Sequence, residues 1–232
     1  MDVFSLSDSE ECECELFPKV VVVGPPGVGK TTLARRIAFD RFNKTKPTIG
    51  VDFFSRTVRP FSQQQDVKVT VQLWDLAGQE NRVEMMRAVS RDLCGVLLVY
   101  DATNPSTVKQ ISLWLKVARE AVLREHERLD TAQHVPIIVV ANKSDLVDVR
   151  EHERHLAQCT ALVQAHELTN GYLVSAKEGD NVKELLYDLA ARSAIAMQKM
   201  SRARIARARN DGPNVVLVKR GGTGAAQRGC QC

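Results

Sequence analysis

Gly24-Pro25-Pro26-Gly27-Val28-Gly29-Lys30-Thr31 is the stretch that decides the fold of this 232-residue chain. It fits the pattern G-x-x-x-x-G-K-[ST] and lies between an apolar run, Val20–Val23, and a segment with helical periodicity. In such a loop, backbone N–H groups and a helix N-terminus surround a polyphosphate. We expect Lys30 to reach the β- and γ-phosphates and the Thr31 hydroxyl to bind Mg²⁺. The alternative is a Gly/Pro turn that carries a surface lysine.

The length suits one domain with tails, or at most a small second domain. A hydrophobic content of 44% is ordinary for a soluble globular protein. No apolar run reaches the roughly 18 residues of a membrane-spanning helix, and residues 1–15 lack the pattern of a secretory signal. The six cysteines do not form a disulfide framework, and we interpret Cys94 and Cys159 as buried thiols in a reducing, intracellular setting.

The net charge of +4 hides an asymmetry between the two ends of the chain. Acidic residues dominate before Lys19, and basic residues dominate after residue 198. We predict a disordered acidic tail over 1–18, a folded domain over 19–198, and a basic helix end with a flexible tail over 199–232. A charge run is most often a solvated surface, so the basic end by itself identifies no partner.

Strand patterns alternate with helical patterns along the domain. Apolar and polar residues alternate over 67–73, which predicts a half-buried strand that forms an antiparallel hairpin with residues 51–59. Continuous apolar runs over 95–100 and 135–141 are typical of buried parallel strands. We therefore predict an α/β fold with a six-stranded, mainly parallel sheet, one antiparallel edge strand and helices on both faces.

A second motif, Asp75-Leu76-Ala77-Gly78-Gln79-Glu80, follows the strand that ends at Trp74. A carboxylate at this strand end can hold Mg²⁺ through water. Gly78 offers a backbone N–H to a γ-phosphate, and Gln79 can orient a water molecule for in-line attack. A D-x-x-G turn on its own is common and weakly specific.

Two further loops follow strands and would contact a base. In Asn142-Lys143-Ser144-Asp145, the carboxylate of Asp145 can accept two hydrogen bonds from guanine, whereas adenine presents a lone pair at N1. Paired hydrogen bonds of this kind discriminate by roughly 10⁴ or more. In Ser175-Ala176-Lys177, the Ala176 N–H could reach the guanine O6. Either stretch alone could be a surface turn, but all the motifs occur in order at strand ends, where α/β sheets bind ligands.

In this order the motifs resemble the Ras superfamily of small GTPases over about residues 17–198. Thr48–Phe53 and Leu73-Trp74-Asp75 resemble the Rab family's versions of these segments. The resemblance implies a P-loop NTPase of the small G-domain type that binds GTP and GDP with Mg²⁺ and hydrolyses GTP. It places Thr48 in switch I and residues 75–91 in switch II. The Phe53-Phe54 pair is also similar to the divergent Rab twenty-eight branch, although the end of the chain does not fit that branch.

The resemblance assigns roles to individual residues of this sequence. The catalytic residues are Gln79 and Lys30, and the Mg²⁺ ligands are Thr31, Thr48 and Asp75. Phe42 is the aromatic residue placed over the base. The complete nucleotide-binding set is Gly27, Val28, Gly29, Lys30, Thr31, Thr32, Phe42, Thr48, Gly78, Asn142, Lys143, Asp145, Ser175, Ala176 and Lys177.

The C-terminal Cys230-Gln231-Cys232 resembles the Rab site for double geranylgeranylation, with lipidation at Cys230 and Cys232. Two lipids give a stable anchor, and basic residues over 202–228 could each add about 1 kcal/mol at an anionic surface. The resemblance thus implies a protein on the cytosolic face of endomembranes, in vesicle trafficking. Its implied partners are an exchange factor, a GTPase-activating protein, a GDP-dissociation inhibitor or escort protein, and effectors that contact the switches, with no nucleic acid. The alternative is a frayed end with two free thiols.

Two departures from the family pattern bear on activity. Pro26 occupies the loop position closest to the γ-phosphate, where proline fixes φ and adds bulk. Rab effectors commonly contact an aromatic triad, of which Phe53 and Trp74 are kept while Val89 replaces the third. Three hypotheses follow: a slow Rab-type switch, a GTP-binding scaffold that hydrolyses GTP poorly, and a different P-loop enzyme that uses ATP.

Overall fold

A mainly parallel β-sheet forms the centre of the fold. The computed structural model describes residues 14–43, 47–61, 67–78, 82–126 and 130–210. Within these ranges the sheet has seven strands: β1 Cys14–Leu16, β2 Lys19–Val23, β3 Val51–Val58, β4 Val67–Leu76, β5 Leu93–Asp101, β6 Ile137–Asn142 and β7 Asn170–Leu173. The helices are α1 Lys30–Phe39, α2 Arg82–Val89, α3 Pro105–Lys109, α4 Ile111–His126, α5 His152–Ala165 and α6 Val182–Asn210.

The strand order confirms the predicted fold class. β4, β2, β5, β6 and β7 lie side by side and run parallel, and β3 pairs with β4 in the antiparallel sense. Because the carboxyl ends of parallel strands meet at one edge of the sheet, the loops after β2, β4, β6 and β7 come together there. The phosphate loop and the described residues of the motifs that begin at Asp75, Asn142 and Ser175 lie at this edge, at strand ends or in the loops that follow them.

β1 continues the first strand of the predicted domain. Residues 14–16 pair with 67–69 of β4, and residues 19–22 pair with 72–75, so both strands share one register. Between them the Pro18 carbonyl still accepts a hydrogen bond from β4, at 2.9 Å. The described sheet has seven strands rather than the predicted six because this strand is divided at a proline, which has no N–H to donate.

The same pairing corrects the predicted domain boundary. The prediction of a disordered tail over 1–18 is wrong for residues 14–18, because strand pairing orders this segment. Residues 1–13 lie outside the described residues. Cys14 is disulfide-bonded, which the sequence analysis did not predict. Within the described residues, Cys94 and Cys159 are buried free thiols, as predicted.

Helices cover both faces of the sheet. Val20 and Val22 of β2 pack in a core with α1 and α6, whereas Val21 and Val23 pack in a core with α2, α4 and α5. Successive side chains of a strand point to opposite faces, so the apolar run of β2 supplies both cores. β5, with all nine residues buried, lies at the centre of the sheet. No helix in the described part of the chain is long and apolar enough to span a membrane.

Candidate functional site

The loop between β2 and α1 requires glycine where the backbone turns. A Cβ on Gly24 would lie 2.1 Å from the carbonyl oxygen of Val99, and Gly29 has a φ of 91°. Only glycine meets both demands without strain. Gly29 is also the N-cap of α1, which therefore begins without a side-chain cap. The N-cap residue thus offers no side chain to the N–H groups of the first turn of α1, which suits an anion site at a helix N-terminus.

Lys30 folds back over this loop. Its Nζ donates hydrogen bonds to the carbonyl oxygens of Gly24, at 2.9 Å, and Pro25, at 2.8 Å. Burial lowers the pKa of Lys30 to about 8, and the nearby carboxylate of Asp75 opposes this shift. The ammonium group therefore donates to neutral carbonyl oxygens of the loop. The charged oxygens of a phosphate would be stronger acceptors.

Three oxygen-bearing side chains from separate elements meet beside Lys30. The hydroxyl oxygens of Thr31 and Thr48 are 2.6 Å apart. The Thr31 hydroxyl donates to Oδ2 of Asp75 at 2.5 Å, and the Thr48 hydroxyl lies 3.4 Å from the same oxygen. α1, the segment before β3, and the end of β4 thus supply one side chain each.

The carboxyl group of Asp75 lacks a full set of partners. Burial raises its pKa to about 6, while the hydrogen bond from Thr31 and the charge of Lys30 lower it. Its Oδ1 is buried and has no hydrogen-bond partner among the residues that the structure describes. A carboxylate and hydroxyl groups are the oxygen ligands that Mg²⁺ prefers, and a cation would stabilise the ionised carboxylate. The residues present therefore fit the expected Mg²⁺ ion.

Gly78 approaches the phosphate loop closely. A Cβ on Gly78 would lie 2.7 Å from Nζ of Lys30 and 2.7 Å from the backbone nitrogen of Pro26. A side chain at this position would therefore separate the loop after β4 from the phosphate loop. Gln79, the predicted catalytic residue, lies outside the described residues, and its role stays a prediction.

Asn142 connects three loops at the other end of the site. Its Nδ2 donates to the carbonyl oxygen of Val28 at 2.9 Å, and its Oδ1 accepts from the N–H of Ala176 at 3.1 Å. The side chain of Val28 is buried in the core, so this residue contributes its backbone to the site. Because the Ala176 N–H is engaged by Asn142, contact with a guanine O6 would require that hydrogen bond to be exchanged or shared.

Lys143 extends along the phosphate loop. Its Nζ donates to the carbonyl oxygen of Gly27 at 2.8 Å and to Oδ2 of Asp101 at 2.5 Å. Asp101, at the end of β5, fixes this lysine and was missed by the sequence analysis. Its position after a buried strand was an available signal, but no motif marks it.

Asp145 is held ready as an acceptor. Its Oδ1 accepts a hydrogen bond from the Ser175 hydroxyl at 2.7 Å, and Nζ of Lys177 lies 3.9 Å from its Oδ2. Ser175 thus orients Asp145 from behind and does not line the cavity. Arg36 of α1, also missed by sequence reasoning, donates to the carbonyl oxygens of Ala176, at 2.9 Å, and Lys177.

These groups surround one cavity of about 730 Å³, a volume within the range of small-molecule sites. The predicted nucleotide-binding residues other than Val28 and Ser175 line it, from the phosphate loop at one end to Asp145 at the other. Phe42 is among them, and Pro47 and Leu146 add apolar surface. The structure therefore brings the described members of the predicted site together.

Comparison with known proteins identifies the family. The model of the Ras family matches residues 19–195. The chain is 34% identical over 173 residues to the Ras-related protein Rab-32D of Dictyostelium discoideum, which covers 74% of this chain and 71% of that protein. Members of these families bind GTP and GDP and hydrolyse GTP. This chain therefore belongs to the Ras family, as a Rab-like small GTPase.

Proposed function

We propose that the chain is a Rab-type switch that binds GTP or GDP with Mg²⁺, hydrolyses GTP slowly and recruits effectors to membranes in vesicle trafficking. The position of Thr48 is the observation that carries this proposal. Its hydroxyl lies 2.6 Å from that of Thr31 and 3.4 Å from Asp75, so the segment before β3 closes on the metal position. GTP with Mg²⁺ would hold Thr48 and Gly78 in place, and loss of the γ-phosphate would release both segments.

In the reaction, the oxygen of a water molecule bonds to the γ-phosphorus as the bond to the β–γ bridging oxygen breaks. GDP leaves, and the proton that the water loses passes to the inorganic phosphate or to solvent. Lys30 and the N–H groups of the phosphate loop stabilise the negative charge, and Gln79 orients the water. Thr31, Thr48 and Asp75 would hold Mg²⁺, and a bound ion would neutralise phosphate charge. We assign no arginine finger within the described residues, so unaided turnover should be slow, about 10⁻⁴ s⁻¹ as for Ras-type proteins.

Base selection rests on Asp145. Its side chain is 8% exposed, and Ser175 fixes its orientation at the end of the cavity. A carboxylate held in this way accepts from the N1–H and amino group of guanine, and it would meet a lone pair on N1 of adenine. The geometry therefore disfavours the alternative of an ATP-dependent enzyme.

Effectors would contact the exposed apolar surface of β3 and β4. Phe53 is 53% exposed and packs edge-to-face on Trp74, with ring centroids 5.5 Å apart. Val89, which replaces the third aromatic residue, is buried and adds nothing to this surface. An effector that binds this surface would contact two aromatic rings, those of Phe53 and Trp74.

Attachment to membranes would come from the C-terminal end. Cys230 and Cys232 lie outside the described residues, and double geranylgeranylation there is part of the proposal. α6 carries exposed basic residues, among them Arg202 and Arg207, toward that end. The exchange factor, the activating protein and the GDP-dissociation inhibitor or escort protein follow from the same proposal.

Pro26 favours a second candidate, a scaffold that holds GTP and hydrolyses it poorly. Pro26 lines the cavity, and its backbone lies against Gly78, so its ring takes up room beside the expected γ-phosphate. On this view the bound nucleotide orders the switches, but water or an activating arginine enters with difficulty.

Single-turnover hydrolysis of GTP preloaded on the full chain with Mg²⁺ separates the two candidates. We expect slow hydrolysis in the wild type and at least about a tenfold slower rate in Gln79→Leu, because the water loses its orienting group. Equal rates in both proteins would remove Gln79 from the mechanism. Tight GTP binding without hydrolysis in the wild type would favour the scaffold, and hydrolysis restored in Pro26→Gly would show that the proline ring causes the block.

A further inference from the structure

A second cavity lies at the C-terminal end of α1, and the proposed switch does not use it. Its volume is about 450 Å³, within the range of small-molecule sites. It shares no lining residue with the nucleotide cavity. We call it the arginine cavity, and its lining residues are Arg35, Ala38, Phe39, Arg41, Asn43 and Arg56.

The described residues do not compensate the charge of this cavity. In the described part of the chain, no carboxylate forms an ion pair with Arg35, Arg41 or Arg56. The nearby carboxylate of Asp40 pairs instead with Arg36, at 3.5 Å. Three positive groups around one concave surface repel each other and together produce a strong positive potential.

Arg35 is held with part of its guanidinium unsatisfied. Its Cζ lies 5.6 Å from the ring centroid of Phe54, which fixes the side chain against the sheet. Its Nε is buried and has no hydrogen-bond partner in the described part of the chain. A buried donor without an acceptor costs free energy, which an anionic oxygen in the cavity would recover.

The end of α1 offers a purely structural explanation, because cations are stabilised near a helix C-terminus. Arg56 fits it in part, since its Nη1 donates to the carbonyl oxygen of Ala38 at 3.2 Å. Arg41 makes no hydrogen bond to the helix end within the described ranges, and neither does Nε of Arg35. Phe39 remains 58% exposed beside them. The helix end therefore accounts for one arginine of the three.

We propose that the arginine cavity binds the phosphate groups of a polyphosphorylated ring compound, such as an inositol polyphosphate, either free or as a lipid headgroup. One guanidinium group can donate two parallel hydrogen bonds to the oxygens of a phosphate, which the ammonium group of lysine cannot do. Three guanidinium groups can therefore bind several phosphates. The exposed ring of Phe39 supplies an apolar wall for the ring of the ligand. This proposal stands independently of the switch, because the two cavities are separate.

Calorimetric titration of the full chain, preloaded with GDP and Mg²⁺, with inositol hexakisphosphate tests the proposal. Preloading keeps the probe out of the nucleotide cavity. The test variant is Arg41→Gln/Arg56→Gln, at two exposed positions, and its thermal unfolding is compared with that of the wild type because Arg56 also donates to the end of α1. The matched control is Arg150→Gln/Arg154→Gln, which removes the same charge from an exposed surface elsewhere.

We expect the cavity variant to bind at least about tenfold more weakly than wild type, and the control to change by less than about twofold. Equal losses in both variants would reduce the effect to net charge and overturn the proposal. So would wild-type affinity in the cavity variant.

A second titration, with vesicles that carry phosphatidylinositol bisphosphate or phosphatidylserine at equal surface charge, distinguishes the source of the phosphates. Selective loss of phosphoinositide binding in the cavity variant would indicate a lipid headgroup. Loss confined to the soluble probe would indicate a free ligand, and both results support the cavity as a phosphate site.

Discussion

Gly78 shows how single residues set the response of the site to nucleotide. Its Cα lies against the phosphate loop, and a Cβ would come within 2.8 Å of Nζ of Lys30 and two backbone atoms of Pro26. If the proposed switch is correct, the close contact between Gly78 and the phosphate loop affects nucleotide affinity only when a γ-phosphate is bound. We expect Gly78→Ala to lower GTP affinity at least about tenfold relative to GDP affinity, because the loop can no longer close.

Competition with a fluorescent GDP analogue measures this preference, and GDP affinity is its internal control. If Gly78→Ala lowers the affinities for GTP and GDP by the same factor, Gly78 supports the fold of the loop rather than the sensing of the γ-phosphate. An unchanged ratio with unchanged affinities would show that the loop relieves the contact by moving.

The residue scale also shows where sequence reasoning ends. The motifs identify Asn142 and Asp145 because their chemistry toward a base requires those side chains at a strand end. They do not identify Arg36 or Asp101, which act on other protein groups: a carbonyl oxygen and a lysine. Many side chains could satisfy such supporting roles, so no local pattern marks them.

α4 is joined to the start of β5 by a buried histidine, His126. Its Nε2 lies 2.9 Å from the carbonyl oxygen of Leu93, which can only accept, so Nε2 carries the proton. Its Nδ1 then accepts from the Thr131 hydroxyl at 2.8 Å. Burial lowers the pKa of His126, so the folded protein keeps the neutral ring.

This arrangement predicts a stability that depends on pH. Below about pH 6.5 the unfolded chain takes up a proton at this histidine while the folded chain does not, so stability is lost as pH falls from there toward the lowered folded pKa. The loss is at most about 1.4 kcal/mol per pH unit. We expect His126→Gln to be less stable at pH 7.5 but to lose less on acidification, as urea unfolding at a series of pH values would measure.

His166→Gln, at a half-buried position, is the matched control and should follow the wild-type pH profile. A wild-type profile in His126→Gln as well would mean that other groups cause the acid sensitivity. The periodicity of α4 predicts that this helix packs on the sheet, but it does not indicate that a histidine carries the contact.

On the scale of the whole molecule, the α/β architecture follows from the alternation of strand and helix patterns, because parallel strands need long crossover connections, which are usually helical. The seventh strand, β1, could not be predicted from the sequence, because the acidic composition before Lys19 favours disorder. Three residues there pair with β4 although their composition is polar, because β4 is longer than β2 and offers free backbone groups beyond it. Tertiary pairing of this kind leaves no periodic signal in so short a segment.

The contribution of β1 can be measured by truncation. β1 adds backbone hydrogen bonds to β4, its Leu16 packs partly buried against the core, and the Thr70 hydroxyl donates to Glu15 at 3.0 Å. Under reducing conditions, which remove the effect of the disulfide at Cys14, a chain lacking residues 1–13 should unfold like the full chain. A chain lacking residues 1–16 should lose about 2 kcal/mol of unfolding free energy, the sum of a few such contacts. Equal stability of the two truncated chains would mean that β1 follows the fold without supporting it. In that event the domain would begin at β2, as the sequence analysis predicted.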